Sequence, residues 1–204
     1  MMRVSNSRLS AVAGALVTLL LFSVISYGQQ STQQAAVANI KIKNFGQMDE
    51  RFYRGAQPKE DDYKDLAALG IKTVIDLRED PEDYEKPTVE SLGMRYVNIP
   101  MVGKKYPKQE HVEQFLKLVD NPETGKFYVH CAGGRHRTGA MGAVYRFTHY
   151  GWNFDQVYKE MKDYDFYTSW GHGDFKVFVQ DYWKQMQANG TAKAASATSS
   201  HGSF

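Results

Sequence analysis

The chain has 204 residues, of which 42% are hydrophobic and 24% are charged, as in an ordinary globular protein. Its mean hydropathy of −0.52 excludes a protein with several membrane spans. A single cysteine excludes a disulfide framework and a cysteine-rich zinc site. The formal net charge of +2, from 25 lysines and arginines against 23 acidic residues, is too small to indicate nucleic acid as a partner.

The N-terminus has a basic start followed by an apolar run. Two arginines are its only charged residues, and residues 11–25 form the apolar run. With Ser26 and Gly28 as small residues before a cleavage point, this pattern predicts a signal peptide over residues 1–28. The protein is therefore expected to be exported, to the periplasm or outside the cell. The alternative is a retained anchor, the only case in which a membrane is an expected partner, although the run is short for a span.

Two further segments are polar and lack periodicity. Residues 29–38 are predicted to be a flexible linker and residues 188–204 a disordered tail. The folded domain is therefore predicted over residues 39–187. Without the charges of the leader and the tail, it has 22 cationic against 23 acidic residues, so the net charge of the chain belongs to its ends.

Strands alternate with helices along this domain. An apolar, β-branched run predicts a buried strand at 71–77, and two further strands are predicted at 94–99 and 126–130. Helical periodicity and terminal signals predict helices at about 59–70, 87–92, 108–119, 138–150, 154–162 and 175–187. This alternation predicts an α/β fold in which a central, mostly parallel sheet is flanked by helices.

The chemistry is expected in residues 130–139, HCAGGRHRTG, between the third strand and a helix. The N–H groups of such a loop converge, and the helix N-terminus adds partial positive charge, so the loop predicts an anion site. Gly133 and Gly134 allow the backbone to curl, and Arg137 is able to clamp two phosphate oxygens. The same positive field lowers the pKa of Cys131 and favours the nucleophilic thiolate. The segment therefore predicts phosphoryl transfer through a phosphocysteine.

This loop resembles the motif HC-x5-R-[ST] of the protein tyrosine phosphatase superfamily, which it matches at His130, Cys131, Arg137 and Thr138. Residues 52–58, 69–78 and 99–101 are similar to dual-specificity phosphatases, and most similar to the atypical plant and fungal branch and its bacterial relatives. The resemblance extends over residues 52–183. It implies the cysteine phosphatase fold, with the phosphate loop between a strand and a helix.

The resemblance also implies roles for the residues of the loop. Cys131 would be the nucleophile, Arg137 would bind phosphate, and Thr138 would assist turnover of the phosphocysteine. His130 would support the loop. The substrate-binding residues would be Ala132, Gly133, Gly134, Arg135, His136 and Arg137. The partner would be a phosphorylated protein or an anionic small-molecule phosphate, and neither a metal nor a cofactor is expected.

One part of the family pattern is missing. Many dual-specificity phosphatases have an aspartate general acid in the loop that corresponds to residues 100–107, which here contains Lys104 and Lys105 and no acid. The general acid is therefore unassigned, and the candidates are Asp76, Asp80, Glu110, Asp163 and Asp165. Alternatively, the substrate has a good leaving group, and the two lysines with Arg135 and His136 suit a polyanion such as an inositol pyrophosphate.

The leading hypothesis is thus an exported, cysteine-dependent phosphatase for phosphate monoesters such as phosphotyrosine. Inositol phosphates, inositol pyrophosphates and phosphoinositides are alternative substrates. A phosphate-binding module with little turnover and a redox sensor based on Cys131 are alternative functions. The aromatic segment 161–175 is predicted either to wall the pocket or to pack in the core, and His172 within it is not predicted to be a ligand.

Overall fold

The computed structural model describes residues 40–199 of the chain. The predicted signal peptide (1–28) and linker (29–38) therefore lie outside the described residues, as does the end of the predicted tail. Within residues 40–199, every helix is too short or too polar to cross a membrane.

Five strands form one sheet within the described residues: β1 Gly46–Gln47, β2 Phe52–Ala56, β3 Ile71–Arg78, β4 Arg95–Met101 and β5 Lys126–Cys131. Their order is β1-β2-β5-β3-β4, and only the β1–β2 pair is antiparallel. The predicted mostly parallel sheet is confirmed. Because β2 to β5 run in one direction, their carboxyl ends meet at a single edge of the sheet, which is where ligand sites of open α/β sheets lie.

The sequence did not predict β1 and β2. An arginine and a glycine lie at the centre of β2, and both obscure the apolar pattern of a strand. The glycine is required by packing: a side chain at Gly55 would collide with the hydroxyl of Tyr128, which donates a hydrogen bond to the carbonyl of Ala56 at 2.7 Å. β2 pairs with β5 so that Ala56 lies opposite Cys131. The strand therefore ends directly beside the predicted phosphate loop.

The described residues form six α-helices: α1 Asp62–Ala68, α2 Glu85–Ser91, α3 Gln109–Asp120, α4 His136–Tyr145, α5 Phe154–Asp163 and α6 Gly173–Ser199. α4 begins two residues before the predicted start and continues as a π-helix over Arg146–Tyr150. α6 continues beyond the predicted domain end at residue 187. Part of the segment predicted as a disordered tail is therefore helical, and its alanines have high helix propensity.

α4 is the central helix of the domain, and all ten of its residues are buried. Small residues allow other elements to approach it closely. A Cβ at Gly139 would lie 3.4 Å from Met161, and one at Gly142 would lie 3.3 Å from Met48. The surrounding core is aromatic, with the rings of Phe52 and Phe127 4.9 Å apart. This packing fixes the N-terminus of α4, where the phosphate loop ends.

Candidate active site

The loop between β5 and α4 curls most tightly at Gly134. The φ angle of Gly134 is +64°, in the left-handed region that favours glycine. A Cβ at this position would also collide with the backbone of Gly55 on β2. Gly133 is less constrained, because a Cβ there would meet only the side chain of Arg135, at 3.6 Å. Of the two loop glycines, Gly134 is the one that both conformation and packing require.

Cys131 ends β5 and is only 3% exposed. Burial by itself raises the pKa of the thiol. The charge of Arg137, the hydroxyl and N–H of Thr138 and the N–H of Arg135 all oppose that effect, and together they hold the pKa of Cys131 below its ordinary value. The surroundings of the sulfur therefore favour the thiolate.

The guanidinium of Arg137 is fixed by two strand ends. It donates hydrogen bonds to the carbonyls of Met101 at 3.0 Å and Leu77 at 3.4 Å. These bonds use one nitrogen of a group that carries five N–H donors, so the others remain available to a bound anion. The side chain is largely buried beside Gly103, whose Cβ would lie 3.9 Å from the guanidinium. β3 and β4 thus position the arginine that the motif places on α4.

A cavity of about 170 Å³ opens at this edge of the sheet. It is lined by Gly103, Cys131, Ala132, Gly133, Arg135, His136, Arg137, Tyr167 and His172. The structure therefore brings most of the predicted loop residues around one space. Gly134, Thr138 and His130 do not line it; Thr138 and His130 are fully buried beside and behind the loop.

His172 belongs to this cavity although the sequence analysis did not predict it as a ligand. Its ring stacks on the ring of His136, with centroids 3.6 Å apart and planes 3° from parallel. Burial and neighbouring cations lower the pKa of both, for His136 to about 4. The two imidazoles are thus neutral at neutral pH. The sequence signal that could have indicated His172 is its position between two glycines inside an aromatic segment.

The aromatic segment 161–175 serves both predicted purposes. Phe166 and Phe175 are buried in the core. Tyr167 lies between them in sequence and lines the cavity, and its carbonyl is 3.0 Å from the Nε2 atom of His136. The segment thus connects the core to the rim of the cavity.

The predicted candidates for the general acid are dispersed. Asp76 is fully buried and accepts a hydrogen bond from Tyr96, so it does not face the cavity. Asp80 pairs with Arg78, Asp163 pairs with Lys159, and Glu110 is exposed in the first turn of α3. Of the five, only Asp165 forms an ion pair with a loop residue, with 3.5 Å between its carboxylate and Arg135. It does not line the cavity.

Behind the loop, Asp76, Glu85 and His130 form a fully buried group that we call the back cluster. The Nε2 atom of His130 lies 2.6 Å from Glu85, and its Nδ1 atom lies 3.8 Å from Asp76. Burial lowers the pKa of His130, but the two carboxylates outweigh that effect and raise it, while the pKa of Glu85 is lowered. The surroundings of His130 thus favour its protonated form.

The back cluster is the one set of side chains within residues 40–199 with the spacing of metal ligands, since its donor atoms lie within 4.8 Å of one another. The short contact between His130 and Glu85 is that of a hydrogen-bonded ion pair. Atoms that share a central metal ion lie farther apart, because each is about 2 Å from the metal. The geometry therefore fits a structural ion pair that supports the loop.

Comparison with known proteins points to one family. Residues 29–172 match the family model described as a DSP-PTPase phosphatase fused to NAD+ kinase. A protein of Mycosarcoma maydis named as the tyrosine-protein phosphatase OCA1 is 31% identical over 126 residues, which cover 58% of this chain and 78% of that protein. The inositol diphosphatase SIW14 of Saccharomyces cerevisiae is 25% identical over 136 residues, which cover 62% of this chain and 47% of that protein.

A solved structure supports the fold. The core catalytic domain of the PP-IP phosphatase SIW14 from S. cerevisiae superimposes with a TM-score of 0.62 at 19% identity. The superposition covers 76% of this chain and 94% of that one. The β5–loop–α4 arrangement thus belongs to a cysteine phosphatase fold.

Proposed function

The chain belongs to the dual-specificity-like branch of the protein tyrosine phosphatase superfamily, and on this premise we propose that it hydrolyses phosphate esters through a phosphocysteine on Cys131. The observation that carries the proposal is the placement of the Cys131 sulfur and the Arg137 guanidinium around one small cavity. The surroundings that lower the pKa of the thiol provide the nucleophile in its reactive form.

In the first step, the thiolate of Cys131 attacks phosphorus, an S–P bond forms, and the P–O bond to the leaving group breaks with its electron pair. Arg137 and the N–H groups of the loop stabilise the charge on the equatorial oxygens. In the second step, water attacks phosphorus, the S–P bond breaks, and inorganic phosphate and the thiolate are released. Thr138, buried next to the sulfur, favours the thiolate as leaving group in this step.

The substrate class that we propose first is a phosphate monoester such as phosphotyrosine. Inositol phosphates and pyrophosphates are the second candidate, because the loop over residues 100–107 has no acid. A phosphoanhydride has a good leaving group and needs little protonation, whereas an alkoxide or phenolate needs more. The relationship to an inositol diphosphatase supports this second candidate. A phosphate-binding module with little turnover is the alternative if no substrate is hydrolysed.

The test measures hydrolysis of an aryl phosphate in the presence of EDTA by the wild type and by Cys131→Ser. We expect the variant to lose at least about 10³-fold in kcat, as for other catalytic nucleophiles. Acid quenching during turnover should trap phosphate on the single cysteine, which mass spectrometry detects. A surface variant of similar size, Ser91→Cys, is the control and should retain activity with the phosphate still on Cys131. Full activity of Cys131→Ser would overturn the mechanism.

We also propose, from the sequence pattern of residues 1–28 alone, that the protein is exported. Expression of the full chain in a secretion-competent bacterium followed by mass spectrometry of the N-terminus tests this point. A mature chain that begins after Gly28 is expected, and an intact N-terminus in the cytoplasm would contradict it.

A further inference from the structure

Three consecutive carbonyl groups of the phosphate loop accept hydrogen bonds from the segment 44–57, and none of the three donor residues lines the cavity. Their donors are the N–H of Gln57 to Ala132 at 3.3 Å, the side-chain amide of Asn44 to Gly133 at 2.8 Å, and the guanidinium of Arg54 to Gly134 at 2.7 Å. In a trans peptide, the carbonyl and the next N–H point in opposite directions. Holding these carbonyls outward therefore directs the following N–H groups inward.

Arg54 differs from the other two donors because it brings a full charge. It lies on β2, is 1% exposed, and its guanidinium stacks 4.0 Å from the ring centre of Tyr164. No carboxylate of residues 40–199 forms an ion pair with it. Burial lowers the pKa of Arg54, although an arginine stays protonated in proteins. A buried cation without an acidic partner is costly, so the fold needs an anion near it.

The peptide unit between Gly134 and Arg135 connects Arg54 to the nucleophile. The carbonyl of Gly134 accepts the bond from Arg54. The N–H of the same unit belongs to Arg135, and it helps to lower the pKa of the Cys131 thiol. A charged donor on the carbonyl polarises the peptide and strengthens its N–H as a donor. Tyr164, the carboxylate of Glu160 and the negative charge on Cys131, in that order, favour the charged form of Arg54.

We propose that Arg54 is a positioning residue that directs the N–H of Arg135 at the Cys131 sulfur and supplies the buried positive charge that balances the thiolate. It acts through the peptide unit between Gly134 and Arg135 and does not line the cavity. The inference rests on the proposed function only in that Cys131 is the nucleophile.

The experiment measures the reactivity of the single cysteine without any turnover. The rate of alkylation by iodoacetamide is followed from pH 4 to 10 for the wild type and for Arg54→Met. We expect the midpoint of the rate profile to rise by at least about one pH unit in the variant, since one unit is the typical scale of such environmental shifts. At any pH below both midpoints, the alkylation rate should fall about tenfold by the same shift.

Arg146→Met is the matched control. Arg146 is also buried, at 6% exposure, stacks 4.3 Å from the ring of Trp152, and donates to a backbone carbonyl, that of Met48 at 2.9 Å. It pairs with Glu160 and contacts no residue of the phosphate loop. We expect this variant to lose stability with an unchanged alkylation midpoint.

A folded Arg54→Met protein with the wild-type midpoint, or with the same change as Arg146→Met, would overturn the inference. If Arg54→Met does not fold, Arg54→Gln replaces it, because glutamine keeps an amide donor without the charge; the same upward shift is expected, and its absence has the same meaning. If the wild type hydrolyses no phosphate ester but the midpoint still rises in Arg54→Met, the inference stands and the proposed function is wrong.

Discussion

The phosphate loop separates two histidines whose surroundings shift their pKa values in opposite directions. His130 lies behind the loop between two carboxylates, which raise its pKa. His136 lies in front of the loop among cationic side chains, and burial together with the neighbouring His172 lowers its pKa to about 4. Each histidine directly precedes a residue of the proposed mechanism, Cys131 or Arg137. The same residue type is therefore favoured as a cation on one side and as a neutral ring on the other.

This difference shows how the charge of the loop is distributed. Behind the loop, the charge of His130 is paired with buried Glu85, so it contributes to stability and not to ligand binding. In front of it, the histidines stay neutral chiefly because they are partly buried, and the nearby positive charges of Arg135 and Arg137 add to that effect. A bound phosphate dianion therefore meets two arginines and two neutral rings. Variants at the front are expected to change kinetics, and variants at the back to change stability.

The largest effect is expected at the front, in Arg137→Ala. The variant removes the guanidinium that we propose stabilises the transition state, so kcat/KM should fall by about 10³-fold, the scale for a principal electrostatic donor. Arg137→Lys keeps the charge without the planar fork and should recover at most about tenfold. Steady-state kinetics with an aryl phosphate measure both. Arg95→Lys, at the exposed start of β4, is the control. Wild-type kinetics in Arg137→Lys would show that charge alone suffices.

At the back, Glu85→Gln is expected to act on stability. Glu85 is fully buried and accepts from His130 at 2.6 Å and from Gln57 at 3.0 Å. Removing its charge leaves the imidazolium of His130 with only Asp76, 3.8 Å away. Breaking a buried ion pair in this way lowers the free energy of unfolding by about 3 kcal/mol. Urea unfolding at pH 6 measures the loss.

The pH dependence of this loss identifies its source. The folded-state pKa of His130 is raised above 6.5, so the contribution of the pair is complete below that pH and is lost as pH rises through the folded pKa. The pKa of Glu85 is lowered from 4.5, so its contribution is present above that value and is lost in acid. The difference between wild type and variant is therefore largest between these values. Glu160→Gln is the control: its partner Arg146 does not titrate, so its loss should persist in alkali. A loss in Glu85→Gln that is independent of pH would contradict the ion pair.

The two sides of the loop also differ in how far the sequence predicted them. The loop is local: its strand, glycines and helix are consecutive, so the motif fixed Cys131 and Arg137 near one another. The residues that support it come from elsewhere in the chain. Glu85 lies 45 positions from His130, and Arg54 lies 80 positions from Gly134. No local pattern encodes such contacts, and they become visible only when the fold brings β2 and the start of α2 beside β5 and the loop.

The fold shows the same limit. The β-branched strands β3, β4 and β5 were predicted because each is an apolar run long enough to recognise. β2 was missed because Arg54 and Gly55 weaken its strand pattern. These are the same two residues that contact Gly134 of the loop. His172 was missed for a related reason: a lone histidine between glycines has no periodicity, and its place follows only from stacking on His136.

The smallest effect is expected at the rim of the front side, in Lys104→Ala. Lys104 is exposed, and its side chain lies 3.4 Å from the position of a Cβ at Gly171. Besides burial, the charge of Lys104 lowers the pKa of His172, which lines the cavity. The positive charge of Lys104 therefore acts on groups in the cavity. An exposed charge steers and weakly binds an anion, so KM should rise about two- to fivefold with kcat unchanged. The increase should shrink at 0.5 M salt, where screening removes the field.

Lys105→Ala is the matched control for this position. It removes the same charge one residue away, from a side chain that lines a separate cleft with Tyr106 and Pro107. If placement matters, only Lys104→Ala should raise KM. Equal increases in the two variants would mean that the total charge of the loop attracts the substrate. An increase that is larger for an inositol polyphosphate than for an aryl phosphate would mean that Lys104 meets a second phosphate, because a monoester has no further charge to reach it.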